Sequence, residues 1–195
     1  MTIKVFPSVF HPGWFYSTKC LIRFSGNLSL MNKKVLDLGT GSGMLAIALA
    51  RQGANVTAVD INQIAVECTM VNAKNNQVSI DTFRSDLFSE IKDVFDFVFI
   101  NPPYYPKPIK TPSDLAWYCG ERFEYYYQLF EQLHQRPSKE ITFMILSEDC
   151  NLEKINEIAH MNHLELNQED LKVNFGEKNF IFEIKKQLGW HHSPK

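Results

Sequence analysis

Val35-Leu36-Asp37-Leu38-Gly39-Thr40-Gly41-Ser42-Gly43, followed by Met44-Leu45-Ala46-Ile47-Ala48-Leu49, decides how this chain is read. A short apolar run, three glycines at alternate positions and then an apolar stretch that fits helical spacing read as strand, tight turn and helix over 44–52, with Gly53 as the helix stop. Glycine in such a turn lets a ligand approach the main chain, while the free N–H groups of the helix's first turn point toward it. The dinucleotide fingerprint places its third glycine one position later, and a phosphate-binding P-loop ends on Gly-Lys-Ser/Thr; neither is met. Asp37, just before the turn, suits a ligand with an amino-acid head, whose ammonium group needs an anion nearby.

Outward from this turn the same rhythm repeats. Residues 55–60 read as a second strand ending in Asp60, and Asn62 caps a helix over 63–75 with Ile64, Ala65, Cys68 and Val71 at helical spacing. A third strand spans 78–84 and ends at Ser85-Asp86, and a fourth spans 94–100. Strand and helix in alternation predict a parallel sheet with right-handed crossovers. At the end of the second strand, Asp60 can accept hydrogen bonds from both hydroxyls of a ribose. Asp86, at the end of the third, can accept from an adenine amine.

The fourth strand runs into Asn101-Pro102-Pro103-Tyr104. Two prolines end the strand and hold the Asn101 amide and the Pro102 carbonyl in extended backbone, so two acceptor oxygens face one small volume. A planar NH2 group has two N–H donors to satisfy, and Tyr104 offers a flat face for its plane. The proline- and lysine-rich loop 105–113 is a candidate substrate loop. Beyond it a helix is expected over 121–135, a strand over 141–146, a helix over 152–161, and strands over 164–173 and 179–186 joined as a hairpin through Asn174-Phe175-Gly176-Glu177. Ahead of the glycine turn, 1–14 read as an irregular arm and 15–30 as a short helix; 189–195, with His191-His192, read as a solvated tail.

With 195 residues, 45% of them hydrophobic and 22% charged, the chain suits one globular domain. A formal net charge of -2 supplies no global field toward nucleic acid or anionic lipid. Cys20, Cys68, Cys119 and Cys150 show no metal-ligand or disulfide spacing, which predicts free thiols in a reducing cytoplasm and no metal. No apolar stretch approaches the ~20 residues needed to span a bilayer, and no signal peptide is expected.

Taken together, the glycine turn with its preceding strand, Val59-Asp60-Ile61-Asn62, Ser85-Asp86-Leu87-Phe88 and Asn101-Pro102-Pro103-Tyr104 resemble the successive motifs of class I S-adenosylmethionine-dependent methyltransferases. Within these they resemble the small methyltransferase domain of the HemK type, the release-factor glutamine methyltransferases. The likeness covers about residues 10–135. It implies an α/β, single-domain, Rossmann-like fold with a mostly parallel seven-stranded sheet and a reversed last strand. It implies S-adenosylmethionine held by Asp37, Gly39, Gly41, Gly43, Asp60, Ile61, Asp86, Leu87 and Asn101, catalysis by Asn101, Pro102 and Tyr104, and acceptor contacts from Pro103, Tyr104 and Tyr105. Thr18 matches a threonine in the arm that covers the cofactor. Residues 1–30 are then an arm and helix, 31–188 the methyltransferase domain and 189–195 a tail.

The helical domain that bacterial HemK proteins carry in front has no counterpart in this stretch, and the glycine cluster after the acceptor motif is reduced to Gly120. Both features look closer to the shorter HemK-like proteins of archaea and eukaryotes, some of which work with a small partner subunit. The expected function is methyl transfer to a planar amide or amine nitrogen, with a protein glutamine as favoured acceptor and a release factor as its carrier. Two alternatives stay open: an RNA methyltransferase acting on an adenine or guanine amine, with Lys107 and Lys110 near phosphates, and a non-catalytic cofactor-binding partner subunit.

Overall fold

The computed structural model describes residues 1–7, 9, 16–174 and 177–187. The tail with His191-His192, most of the arm between 8 and 15, and Phe175-Gly176 of the expected hairpin turn lie outside the described residues. Among the described residues five α-helices and seven strands follow in the order α1 (Ser17–Ser25), β1 (Lys34–Leu38), α2 (Met44–Arg51), β2 (Asn55–Asp60), α3 (Gln63–Asn75), β3 (Asp81–Arg84), β4 (Phe97–Ile100), α4 (Glu124–Gln135), β5 (Ile141–Ser147), α5 (Leu152–Met161), β6 (Leu164–Asn174) and β7 (Glu177–Lys186), with a 3-10 turn over Pro112–Ala116.

One seven-stranded sheet has the order β3-β2-β1-β4-β5-β7-β6. The pairs β1 to β2, β1 to β4, β2 to β3 and β4 to β5 are parallel, and β7 runs antiparallel to both neighbours. The expected reversed last strand is therefore present. The inner strands are apolar on both faces because helices cover both. Leu36, Leu38, Val98, Ile100, Met144 and Leu146 face α4 and α5 through Tyr126, Leu129, Phe130, Ile155 and Ile158. Their alternates Val35, Phe99, Phe143 and Ile145 face α1 and α2 through Leu21, Phe24, Leu45 and Leu49.

Several elements are shorter than the sequence suggests, for reasons of hydrogen bonding or backbone conformation. Gln77 is left-handed and the Val78 N–H returns to Ala73 O, so β3 begins only at Asp81. The Phe95 N–H is taken by Glu140 Oε1, which delays β4 to Phe97. Gly26 stops α1, and left-handed Gly120 and Phe123 delay α4 to Glu124.

The strand order turns back between β1 and β4, and Leu38 lies beside Ile100. The glycine turn and Asn101 therefore leave the sheet side by side at its carboxyl edge. In open α/β sheets such a switch point opens a crevice.

Candidate active site

A cavity of about 320 Å³ occupies that crevice. Its walls bring together Asp37, Gly39, Gly41, Asp60, Ile61, Asp86, Leu87, Asn101, Pro102, Pro103, Tyr104 and Tyr105. Gly43 is the one expected site residue that does not reach the wall. Its φ is +77°, and a Cβ there would lie 2.8 Å from Thr69 Cγ2, so its lack of a side chain makes room for α3. Gly39, at φ +81°, has open space where a Cβ would be, which leaves its backbone approachable.

Asp37 is buried beneath the turn, where Asp37 Oδ2 accepts from Thr40 Oγ1 at 2.8 Å and from the Ala46 N–H at 3.2 Å. Burial pushes its carboxyl up to about 7, against the lowering effect of those two bonds. Asp60 is tied into the same loop, accepting from the Gly41 N–H and the Asn62 N–H, both at 2.9 Å. Burial raises its carboxyl too, offset by backbone N–H groups. Asp86 sits exposed at the cavity mouth. Two carboxylates at the ends of β1 and β2 and a third at the mouth suit a ligand with an ammonium, hydroxyl pairs and an amine.

On the other wall, Asn101 Nδ2 donates to Thr18 Oγ1 at 3.2 Å and Ser17 Oγ at 3.3 Å. Tyr104 Oη donates to Asn101 Oδ1 at 3.0 Å. A carbonyl oxygen has two lone pairs, so Asn101 Oδ1 can still accept a second donor. The tyrosine lines the cavity yet is only 8% exposed, and burial raises its phenol. Tyr126 Oη donates to Pro103 O, and the N–H groups of Tyr104 and Tyr105 both reach Trp117 O. The turn after β4 is thus held from two sides.

Residues beyond the motifs complete the wall. The loop after Tyr105 folds back through Asp114, whose Oδ2 accepts from the Lys110 and Thr111 N–H groups, and it brings Ile109, Leu115, Trp117 and Tyr118 to the cavity. Thr111-Pro112-Ser113-Asp114, a capping box, was the sequence signal for this turn. Tyr125, from α4, also lines the cavity; burial raises its phenol, and the nearby charges of Asp60 and Asp86 add to the shift.

A family model described as methyltransferase small domain matches residues 3–117. The chain belongs to the methyltransferase small domain family. The matched segment holds every wall residue of this cavity except those of Tyr118 and α4. A Methanocaldococcus jannaschii protein with the provisional name protein N5-glutamine methyltransferase is 38% identical over 105 residues, covering 53% of this chain and 51% of that protein. Ribosomal RNA small subunit methyltransferase C of Shigella flexneri is 35% identical over 120 residues, 60% of this chain and 34% of its own. This methyltransferase small domain chain thus spans about half or less of the curated relatives it matches. The E. cuniculi Mtq2–Trm112 complex, responsible for methylation of the eRF1 translation termination factor, contains a chain of the same fold, with TM-score 0.67 at 20% identity over 92% of this chain and 99% of that one.

Proposed function

We propose that this protein is an S-adenosylmethionine-dependent methyltransferase acting on the side-chain amide of a protein glutamine, with a translation termination factor as the acceptor protein. Family membership and the cavity's set of carboxylate acceptors support the cofactor. Asp37 would face its ammonium, Asp60 its ribose hydroxyls, Asp86 its adenine amine, and Ile61 and Leu87 the apolar sides of the nucleoside. When bound, it supplies a methyl group activated by a sulfonium. An amide nitrogen is a poor nucleophile because its lone pair is delocalised. Asn101 Oδ1 and the Pro102 carbonyl accept the two N–H groups, hold the nitrogen in place and stabilise the positive charge that grows on it.

The observation that carries the choice of acceptor is the likeness to the protein N5-glutamine methyltransferase relative, 38% identical over 105 residues. Tyr104, little exposed and bonded through its hydroxyl to Asn101 Oδ1, braces the amide that would receive the acceptor nitrogen. The likeness to the Mtq2–Trm112 complex supports a termination factor and a small activating subunit as partners. A cytoplasmic place fits four buried free cysteines and the absence, among the described residues, of any helix long and apolar enough to cross a membrane.

A second reading, transfer to an RNA base amine, is favoured by the ribosomal RNA relative. Lys107, a candidate phosphate contact, lies over the Tyr118 ring at 5.4 Å. Transfer of a labelled methyl group into an undermethylated extract separates the two readings. Label released by protease, and incorporated into purified termination factor, is the expected result; label released only by ribonuclease would replace the glutamine with a base.

A further inference from the structure

Three polar side chains, two on α3 and one on its C-cap, spaced three and four residues apart, form a buried stripe that no part of the proposed chemistry uses: Thr69, Asn72 and Asn76. Thr69 Oγ1 donates to Gly41 O at 3.2 Å. Asn72 is 0% exposed and its amide is fully engaged. Asn72 Oδ1 accepts from the Lys4 N–H at 2.9 Å, and Asn72 Nδ2 donates to Lys4 O at 2.7 Å and to Ser42 O at 2.9 Å. One turn on, Asn76 Oδ1 accepts from the Thr2 N–H at 3.1 Å and Asn76 Nδ2 donates to Thr2 O at 2.7 Å. Two asparagines four positions apart thus receive two backbone units two positions apart, as a strand partner would. Gly41 and Ser42 line the cavity, and so does Val9, farther along the segment that Asn72 and Asn76 hold.

We infer that Asn72 is a positioning residue that couples the cofactor loop to the leading segment 1–7, so that ligand in the cavity and docking of this segment reinforce one another. The inference rests on the cofactor reading proposed above. The physical reason is the sharing of one amide. Both N–H bonds of Asn72 are spent, one on each partner, and the side chain is wholly covered while the segment is docked. Drawing the segment away removes both Lys4 partners and frees the amide to turn, which loosens its bond to Ser42 O. Conversely, a ligand that orders the glycine loop fixes Ser42 O and with it the Asn72 rotamer that receives Lys4. By reciprocity, the factor by which docking strengthens ligand binding equals the factor by which ligand strengthens docking.

The test uses the full chain with S-adenosylhomocysteine as ligand, measuring affinity by calorimetry and amide exchange of residues 3–6 by mass spectrometry. The native protein is expected to bind, with slower exchange in that segment when ligand is present. Asn72→Ala should weaken binding about tenfold, the factor carried by one hydrogen bond of ordinary strength, and should abolish the ligand-dependent protection. Lys4→Pro removes the Lys4 N–H without touching α3, so it serves where Asn72→Ala fails to fold; it should also lose the protection and weaken binding. A merely structural role for Asn72 would lower the melting temperature and leave affinity and protection as they are, and that result overturns the inference. Native protein that binds ligand with no change in residues 3–6 overturns the coupling alone. Failure to bind at all overturns the cofactor reading and the coupling with it.

Discussion

Asp37 carries the sharpest pH dependence at the scale of single residues. Its carboxyl titrates near 7 in the fold against an ordinary 3.8. The protonated form is the one the fold favours, so its contribution to stability is whole below about pH 4 and is lost as pH rises through about 7. An ammonium placed beside it reverses this preference, and binding then expels a proton below pH 7. Affinity for S-adenosylhomocysteine should rise about tenfold between about pH 6 and about pH 8, and calorimetry in two buffers of different ionisation heat reads the released proton directly. Asp37→Asn should bind more weakly and lose the slope; a slope that survives belongs to another group.

Asn101 and Tyr104 divide differently between binding and chemistry. On the proposed mechanism Asn101→Ala removes an acceptor for the charge that develops on nitrogen, and should cost roughly 2.7 to 4 kcal/mol of transition-state stabilisation, read as a 100- to 1000-fold lower kcat. Cofactor affinity should stay nearly unchanged, and an equal loss in both would place Asn101 in cofactor binding alone. Tyr104→Phe deletes only the hydroxyl that restrains Asn101 Oδ1, so a fall in kcat of about tenfold with little change in KM is expected from one lost hydrogen bond. Nothing in the sequence of Asn101-Pro102-Pro103-Tyr104 distinguishes a tyrosine that stacks from one that braces its neighbour. The hydroxyl's partner is three residues away, but its burial depends on Tyr126 and Trp117, brought in by α4 and the folded loop.

Among elements, the junction of α2 with α3 depends on Gly43. A side chain there would adopt a left-handed backbone and strike Thr69 at 2.8 Å. Gly43→Ala should therefore destabilise the protein by about 2 to 4 kcal/mol, combining backbone strain with overpacking. Thermal or urea denaturation measures it, and adding Thr69→Ala should recover the steric part and leave the strain. Glycine spacing pointed to a ligand loop but did not separate the glycines that face the cavity from the one that serves helix packing. That distinction requires knowing which helix lies behind the turn. The elements themselves were legible wherever period decides: α5 spans 152–161 as read from its apolar spacing. Their ends were less so, because β3 and β4 are shortened by hydrogen bonds to a helix end and to Glu140.

For the molecule as a whole, one buried ion pair fastens the edge of the sheet opposite the cavity. Arg136 and Glu140 meet through two bonds, with side chains 13% and 2% exposed. Glu140 also accepts the Phe95 N–H ahead of β4, while Arg136 reaches Asp93 O and lies over Phe88. Glu140→Ala leaves a guanidinium and a backbone N–H without this partner, and should cost about 3 to 5 kcal/mol in urea denaturation. The cavity walls are built at the other end of the same strands, so ligand affinity of the folded variant should change little.

By itself the sequence determined the alternation of strand and helix, the glycine turn after β1, the Asn101-Pro102 turn after β4 and the acids at the strand ends. These follow from local periodicity and from the backbone rules of glycine and proline, which act within a few residues. Only the tertiary structure decided that β1 and β4 are neighbours, that Tyr104 faces inward, that Gly43 makes room for Thr69, and that Asn72 joins Lys4 to Ser42. Each of these depends on packing between segments brought together by the fold, and where the partners lie tens of residues apart, no local pattern records which buried amide will meet which carbonyl.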